Sequence, residues 1–203
     1  MKIFVTGIGT EVGKTVISAI LTEALHADYW KPIQAGELDY SDKNKVEELI
    51  SNSKSNFHEE TFRLNHPMSP HAAAERDDVK IHLNDFQIPI TDNHLIIEGA
   101  GGLMVPINKN DCIINFIEQS EAEVILVSRN YLGSINHTIL SVEALKNRNI
   151  PIKGIIFNGS ENKDTESIII SMCGVPCLGR VDEEENIDEN VILKYAQRFK
   201  EAL

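Results

Sequence analysis

The chain has 203 residues, 42% hydrophobic and 25% charged, a balance that suits one folded α/β domain with a real core. Lys plus Arg number 19 against 31 Asp plus Glu, so the net charge is −12. That field repels nucleic acid and anionic membranes, which sets both aside as bulk partners and requires any phosphate site to build its positive potential locally.

In chain order, MKIFVTGIG lacks the apolar region and cleavage site of a signal peptide, and no apolar run approaches membrane-spanning length. Lys2–Thr6 (KIFVT) reads as a buried strand turning at Gly7. Thr15–His26 reads as a helix, with Val16, Ile20, Leu21 and Ala24 at helical spacing. Tyr29–Ile33 is a short strand limited by Pro32, and residues 42–51 are helical. The polar stretch 52–80 contains Pro67 and Pro70 and reads as loop, with a helix through Ala72–Arg76.

Farther on, Asn93–Glu98 is a buried strand stopped by Gly99, Ile113–Glu118 a helix and Glu123–Ser128 another buried strand. Ser134–Arg148 is an amphipathic helix with Ile135, Ile139, Val142 and Leu145 on one face. Ile152–Phe157 is a strand ending at Asn158. Helices around Asp164–Met172 and from about Asp188 finish the pattern.

Alternating strands and helices, with continuously apolar strands, predict an α/β fold: a single domain over residues 1–203 with a mostly parallel sheet and helices on both faces. Ligands of such sheets bind beyond the strands' carboxyl ends, where Gly7, Lys31, Glu98, Ser128 and Asn158 fall. The cysteines are Cys112, Cys173 and Cys177. Their odd number, without a secretory signal, predicts free thiols and a cytoplasmic location. Cys173 and Cys177 are spaced for one helix face, but Gly174 and Pro176 intervene and no second Cys/His pair accompanies them. They read as structural.

Residues 7–15, GIGTEVGKT, follow a strand and open a helix, the context of a P-loop. Glycines let backbone N–H groups close on phosphate oxygens, Lys14 supplies a point charge and the Thr15 hydroxyl suits Mg²⁺. One Lys and one helix N-terminus thus make a cationic pocket in an acidic protein. Five residues separate Gly7 from Gly13, one more than the standard spacing, so the loop is a variant.

Glu98 ends a buried strand and begins EGAGG, through Gly99, Ala100, Gly101 and Gly102. An acid at a strand end beside the first loop is a Walker-B-like Mg²⁺ partner, and the glycines permit close backbone approach to a ligand. Lys31, in WKPIQAG, is held by Pro32 and placed to meet a transferring phosphoryl group; the segment alone also allows a surface lysine. Asp42 opens a helix and is either a further Mg²⁺ ligand or a charge favoured by the helix dipole.

Together VTGIGTEVGKT (5–15), WKPIQAG (30–36), SD (41–42), SPHAAA (69–74), IIEGAGGLMVPI (96–107), LGSINHT (132–138) and FNG (157–159) resemble the dethiobiotin synthetase family of P-loop NTPases, ATP-dependent carbon–nitrogen ligases of biotin synthesis. The resemblance implies that 7,8-diaminononanoate, CO₂ and ATP give dethiobiotin, ADP and phosphate through a carbamate and a carbamic-phosphoric anhydride. It implies Mg²⁺ on Thr15, Asp42 and Glu98, and catalytic lysines Lys14 and Lys31. Nucleotide contacts would come from Thr10, Glu11, Val12, Gly13, Lys14, Thr15, Val16, Asp42, Glu98, Gly99, Ala100, Gly101, Asn158 and Gly159, with Asn158 at the adenine. Substrate contacts would come from Thr10, Lys31, Ala35, Leu132, Gly133, Ser134 and Asn136, the last four near the substrate's tail carboxylate from the partner of a homodimer.

Two departures stand out. Ala35 replaces a Ser or Thr common in the family, which removes a hydroxyl. VDEEEN (181–186) replaces a Pro-led segment at the adenine pocket, which leaves base selectivity open and allows other nucleoside triphosphates to be accepted. His71 and His137 read as structural. Two alternatives stay open: an amidoligase activating a carboxylate, which would usually need a glutaminase domain for which 203 residues leave no room, and a partition-type regulatory ATPase, whose extra early loop lysine is missing from IGTEV (8–12).

Overall fold

The computed structural model describes residues 1–203. Nine strands are β1 Lys2–Gly7, β2 Asp28–Trp30, β3 Ile33–Ala35, β4 Phe57–His58, β5 Phe62–Leu64, β6 Leu95–Gly102, β7 Glu123–Arg129, β8 Ile152–Asn158 and β9 Cys177–Val181. Seven helices are α1 Lys14–Leu25, α2 Asp42–Leu49, α3 Pro70–Arg76, α4 Ile113–Ser120, α5 Ser134–Asn147, α6 Lys163–Cys173 and α7 Glu189–Phe199, with a 3₁₀ turn at Leu83–Asp85. Seven strands form one parallel sheet in the order β4-β2-β6-β1-β7-β8-β9.

The central strands are apolar at successive positions because both faces are covered. Along β1, Ile3 and Val5 join a core with α1 and α7 residues such as Ile17, Ile20, Tyr195 and Phe199. Phe4 points the other way, into a core with Phe116, Ile113 and Trp30. A third cluster seats Leu126, Ile155 and Phe157 against Val142 of α5 and Ile169 of α6. Each such buried side chain contributes about 1.5–3 kcal/mol. Chain connections leave β1 toward β2 on one side, whereas β6 connects across β1 to β7 on the other. The carboxyl end of β1 therefore opens into a crevice.

Several sequence expectations change. The strand expected over Tyr29–Ile33 is two strands. Pro32 has no N–H to give the ladder, so β2 ends at Trp30 while β3 turns away to pair with β5, Ile33 opposite Phe62. Gly99 does not stop β6: the strand runs on to Gly102, which pairs with Gly7 across a register shift. A Cβ on Gly102 would lie 3.2 Å from the Gly7 carbonyl oxygen, so glycine here permits backbone approach rather than ending the strand.

Within 52–80 the polar stretch contains β4 and β5, two- and three-residue strands too short for a periodicity signal, and a helix starting at Pro70. Edge strand β9 was not anticipated; Gly179, at φ +142°, lies where a Cβ would meet the Phe199 ring at 2.8 Å. In α5, Val142 and Leu145 are buried, but Ile135 is exposed rather than part of the inner face. Cys173 ends α6, Gly174 in left-handed conformation terminates the helix, and Cys177 opens β9, so the pair does not share a helix face. All three cysteines are free.

Candidate active site

The loop between β1 and α1 carries two left-handed residues, Glu11 at φ +56° and Gly13 at φ +94°. Gly13 caps α1, whose first turn contains no acid to cancel the helix dipole. A Cβ on Gly13 would lie 2.1 Å from Asn158 Nδ2, and that nitrogen donates to the Val12 carbonyl at 3.0 Å. Glycine is thus required by conformation and by contact, and the end of β8 braces the loop. Lys14 is buried, with Nζ donating to the Gly9 carbonyl at 3.0 Å. Burial, together with nearby Lys31, lowers its pKa to about 8 against the opposing pull of Glu98.

Beside the loop, β6 delivers Glu98, which is 1% exposed. Its Oε1 accepts from Thr15 Oγ1 at 2.9 Å and from Lys31 Nζ at 2.9 Å, while Oε2 accepts from the Tyr29 hydroxyl at 2.8 Å. Lys31 Nζ also pairs with Asp42 Oδ2. Burial alone would discharge Lys31; the charges of Glu98 and Asp42 outweigh it and hold its pKa above the ordinary lysine range. Burial likewise opposes the charge of Asp42, but Lys31 and Lys45 hold its pKa below the ordinary value. Lys45 donates to Asp42 Oδ1 at 3.2 Å and to Glu37 Oε2 at 2.6 Å. Four chain segments far apart in sequence thereby converge beside the phosphate loop.

These groups open on a cleft of about 760 Å³. Thr10, Glu11, Gly13, Lys14, Thr15, Val16, Lys31, Ala35, Asp42, Glu98, Ala100, Gly101, Asn158 and Gly159 all line it. Two expected nucleotide contacts do not. Val12 is buried, with only its carbonyl engaged by Asn158, and Gly99 backs onto Phe4, where a Cβ would sit 2.8 Å from Cε1. Leu132, Gly133, Ser134 and Asn136 lie outside this chain's own cleft. Gly133, at φ +105°, rather than Ser134 caps α5; Ser134 is buried with its hydroxyl unpartnered, and Leu132 is fully exposed.

Sequence reasoning missed Tyr29, Lys45, Arg129 and Glu183. Tyr29 stands two residues before Lys31, the spacing that puts side chains on one strand face, and that was its one available signal. Lys45 is one helical turn from Asp42. Arg129 and Glu183 meet from β7 and the segment after β9, which no local pattern foretells. At that far end Arg129 Nη2 donates to both Glu183 oxygens at 3.0 and 3.1 Å, and Glu184 accepts from Lys194 at 2.7 Å and from the Tyr195 hydroxyl at 2.6 Å. The acidic run thus carries its own counter-ions.

A glycine-rich loop between strand and helix, a buried lysine behind it and an acid at a neighbouring strand end define a P-loop nucleotide-binding protein. A family model described as an AAA domain matches residues 1–191. The chain is 55% identical to the ATP-dependent dethiobiotin synthetase BioD of Christiangramia forsetii, over 98% of this chain and 96% of that one. It is 50% identical to the corresponding protein of Cytophaga hutchinsonii, over 98% and 96%. The chain belongs to the dethiobiotin synthetase family. Its fold is also similar to the septum site-determining protein MinD complexed with Mg-ADP from Pyrococcus horikoshii, with TM-score 0.62, 16% identity, and coverage of 100% of this chain and 94% of that one.

Proposed function

We propose that this chain catalyses the ATP-dependent closure of 7,8-diaminononanoate and CO₂ to dethiobiotin in biotin synthesis, a carbon–nitrogen cyclo-ligation that releases ADP and phosphate. The observation that carries this reading is the convergence of Lys31, Thr15, Asp42 and Glu98 beside Lys14, in a chain 55% identical to a named dethiobiotin synthetase. Distant likeness to MinD extends to the fold alone.

The loop amides and Lys14 bind the triphosphate, and the uncompensated N-terminus of α1 adds to their field. Thr15, Asp42 and Glu98 would hold Mg²⁺. A hydroxyl and two carboxylates are the oxygen donors that suit a hard divalent cation. No group of three or more His, Cys, Asp or Glu side chains gathers elsewhere as a competing metal cage. When bound, the cation supplies charge neutralisation between the phosphates.

Lys31, kept protonated by its two carboxylates, supports the anionic carbamate formed when one amine captures CO₂ and receives the charge that develops as the γ-phosphoryl group moves onto it. The second amine then attacks the carbonyl carbon and phosphate leaves. Buried, pre-oriented cations suffice for such chemistry, because phosphoryl transfer depends on positioning and electrostatics. At Ala35 no side-chain hydroxyl reaches the cleft, so backbone or water takes that role.

The segment Leu132, Gly133, Ser134 and Asn136 lies outside its own cleft and leaves Leu132 exposed, which supports a homodimer in which it serves the partner's substrate tail. No helix is long and apolar enough to cross a membrane. Three free thiols agree with a cytoplasmic enzyme. The deciding experiment supplies diaminononanoate, bicarbonate and Mg-ATP and looks for dethiobiotin by mass. Absence of that product, with ATP hydrolysis triggered by another acid instead, overturns the assignment.

A further inference from the structure

We infer that Tyr29 is a positioning residue for the cation site: its buried hydroxyl holds Glu98 so that only Oε1 faces Thr15, Lys31 and the cleft. The inference rests on the Mg²⁺ site proposed above, and it assigns a role to a residue that does not line the cleft.

Glu98 is almost fully buried, and its two oxygens have different surroundings. Oε1 takes two donors, Thr15 Oγ1 and Lys31 Nζ, each at 2.9 Å. Oε2 takes one, the Tyr29 hydroxyl at 2.8 Å, in a fully buried contact. A carboxylate can turn about its last side-chain bond, and unless something distinguishes the two oxygens it presents either of them or both. The Tyr29 hydroxyl distinguishes them. A carboxylate oxygen only accepts, so in this fully buried contact the Tyr29 hydroxyl is the donor.

Tyr29 is itself fully buried. It sits in β2 opposite Ile96 of β6 and Phe57 of β4, with its ring against Phe57 at 6.4 Å between centroids. The donor is therefore anchored by the same sheet that carries Glu98. Remove the hydroxyl and Oε2 is a buried acceptor with no partner, which the carboxylate relieves by turning toward Thr15 and Lys31. That movement detunes the ligand without altering the loop, Lys14 or the helix dipole. Partners that orient a metal ligand typically change metal affinity by about 10–100-fold.

A plain core tyrosine whose hydroxyl merely found an acceptor would affect folding but not cation affinity. A double-mutant cycle on the full chain separates the two. Mn²⁺ binding to the protein saturated with a non-hydrolysable ATP analogue is followed by electron paramagnetic resonance in wild type, Tyr29→Phe, Glu98→Gln and the double variant. We expect Tyr29→Phe to weaken Mn²⁺ by about tenfold and Glu98→Gln by at least as much, with the double variant no weaker than Glu98→Gln alone.

Tyr29→Met, a second donor-free variant with an adaptable side chain, should show the same shift, which removes dependence on how well one variant folds. The half-saturating Mg²⁺ for turnover should rise in parallel. Unchanged Mn²⁺ affinity in the folded Tyr29 variants overturns the inference, and so do effects that simply multiply in the double variant. If Glu98→Gln itself leaves Mn²⁺ affinity unchanged, the failure lies instead with the cation-site reading.

Discussion

The two ends of the cleft are built on different principles. At the phosphate end, Lys14, Lys31 and Glu98 are 7, 6 and 1% exposed; Lys14 bonds within its own loop to Gly9, and Lys31 and Glu98 engage partners from other parts of the chain. At the far end, the side chains of Arg129 and Glu183 are 40 and 58% exposed, and their ion pair lies in water. Buried charge carries a heavy desolvation cost and is tolerated only with near-ideal partners, so one deletion there is severe. An exposed pair contributes about 0–1 kcal/mol and leaves composition free to vary. The GIGTEVGKT, WKPIQAG and IIEGAGG segments therefore meet at the dry end, and the acidic segment VDEEEN sits at the wet one.

That contrast can be broken by experiment, beginning with the largest effect. Lys14→Ala should lower ATP-dependent turnover by about a thousandfold. Product formation at the wild-type rate would show that the loop does not hold the phosphates. Lys31→Ala should cost turnover about a hundredfold while Mg-ATP affinity stays within a few-fold, measured by calorimetry beside steady-state kinetics. Equal loss of both would make Lys31 a nucleotide ligand only.

Gly13→Ala forces a side chain into left-handed backbone and onto Asn158, and should destabilise the fold by about 2–4 kcal/mol in denaturant titration. Asp28 anchors the strand that carries Tyr29. Burial there raises its carboxyl pKa, but donors from Asn93, Thr91 and Asn56 prevail and bring it to about 2, from 3.8. A depressed carboxyl stabilises the fold above its unfolded pKa and stops doing so as pH falls through the folded one. The effect is about 2 kcal/mol, present above pH ~4 and lost toward pH 2. Asp28→Asn should flatten the change in stability across that window, read by denaturation at pH 5 and pH 3.

The smallest effects belong to the wet end. Glu183→Ala should change kcat/KM for ATP by less than about tenfold, or ~1.4 kcal/mol. CTP and GTP should support turnover within a similar factor. A hundredfold preference for ATP would mean that the acidic segment reads the base after all.

The parts of the molecule differ in how much they owe to local pattern. The order of strands and helices, the variant loop and the opposed acid at Glu98 were legible from residues 2–15 and 93–102, because each depends on neighbours within a few positions: an apolar run, a glycine, a capping turn. The family resemblance, spread over residues 5–159, chose between the readings that their own segments left open for Lys31 and Asp42 and added a role for Asn158. Placement was another matter. Pro32 turned one expected strand into two, Gly99 failed to stop β6, and strands of two, three and five residues escaped notice because pairing partners, not periodicity, make them.

The sequence by itself determined the parallel sheet, the phosphate loop and the charged groups available for chemistry. Only the tertiary structure decided which of those charges meet. It set Glu98 between Thr15, Lys31 and Tyr29, joined Arg129 to Glu183, and left residues 132–136 outside the cleft. The physical reason is range. Propensity and hydrophobic period act over a few residues, whereas Lys31 and Asp42 are 11 residues apart along the chain, Thr15 and Glu98 are 83, and only the packing of helices on the sheet brings them together.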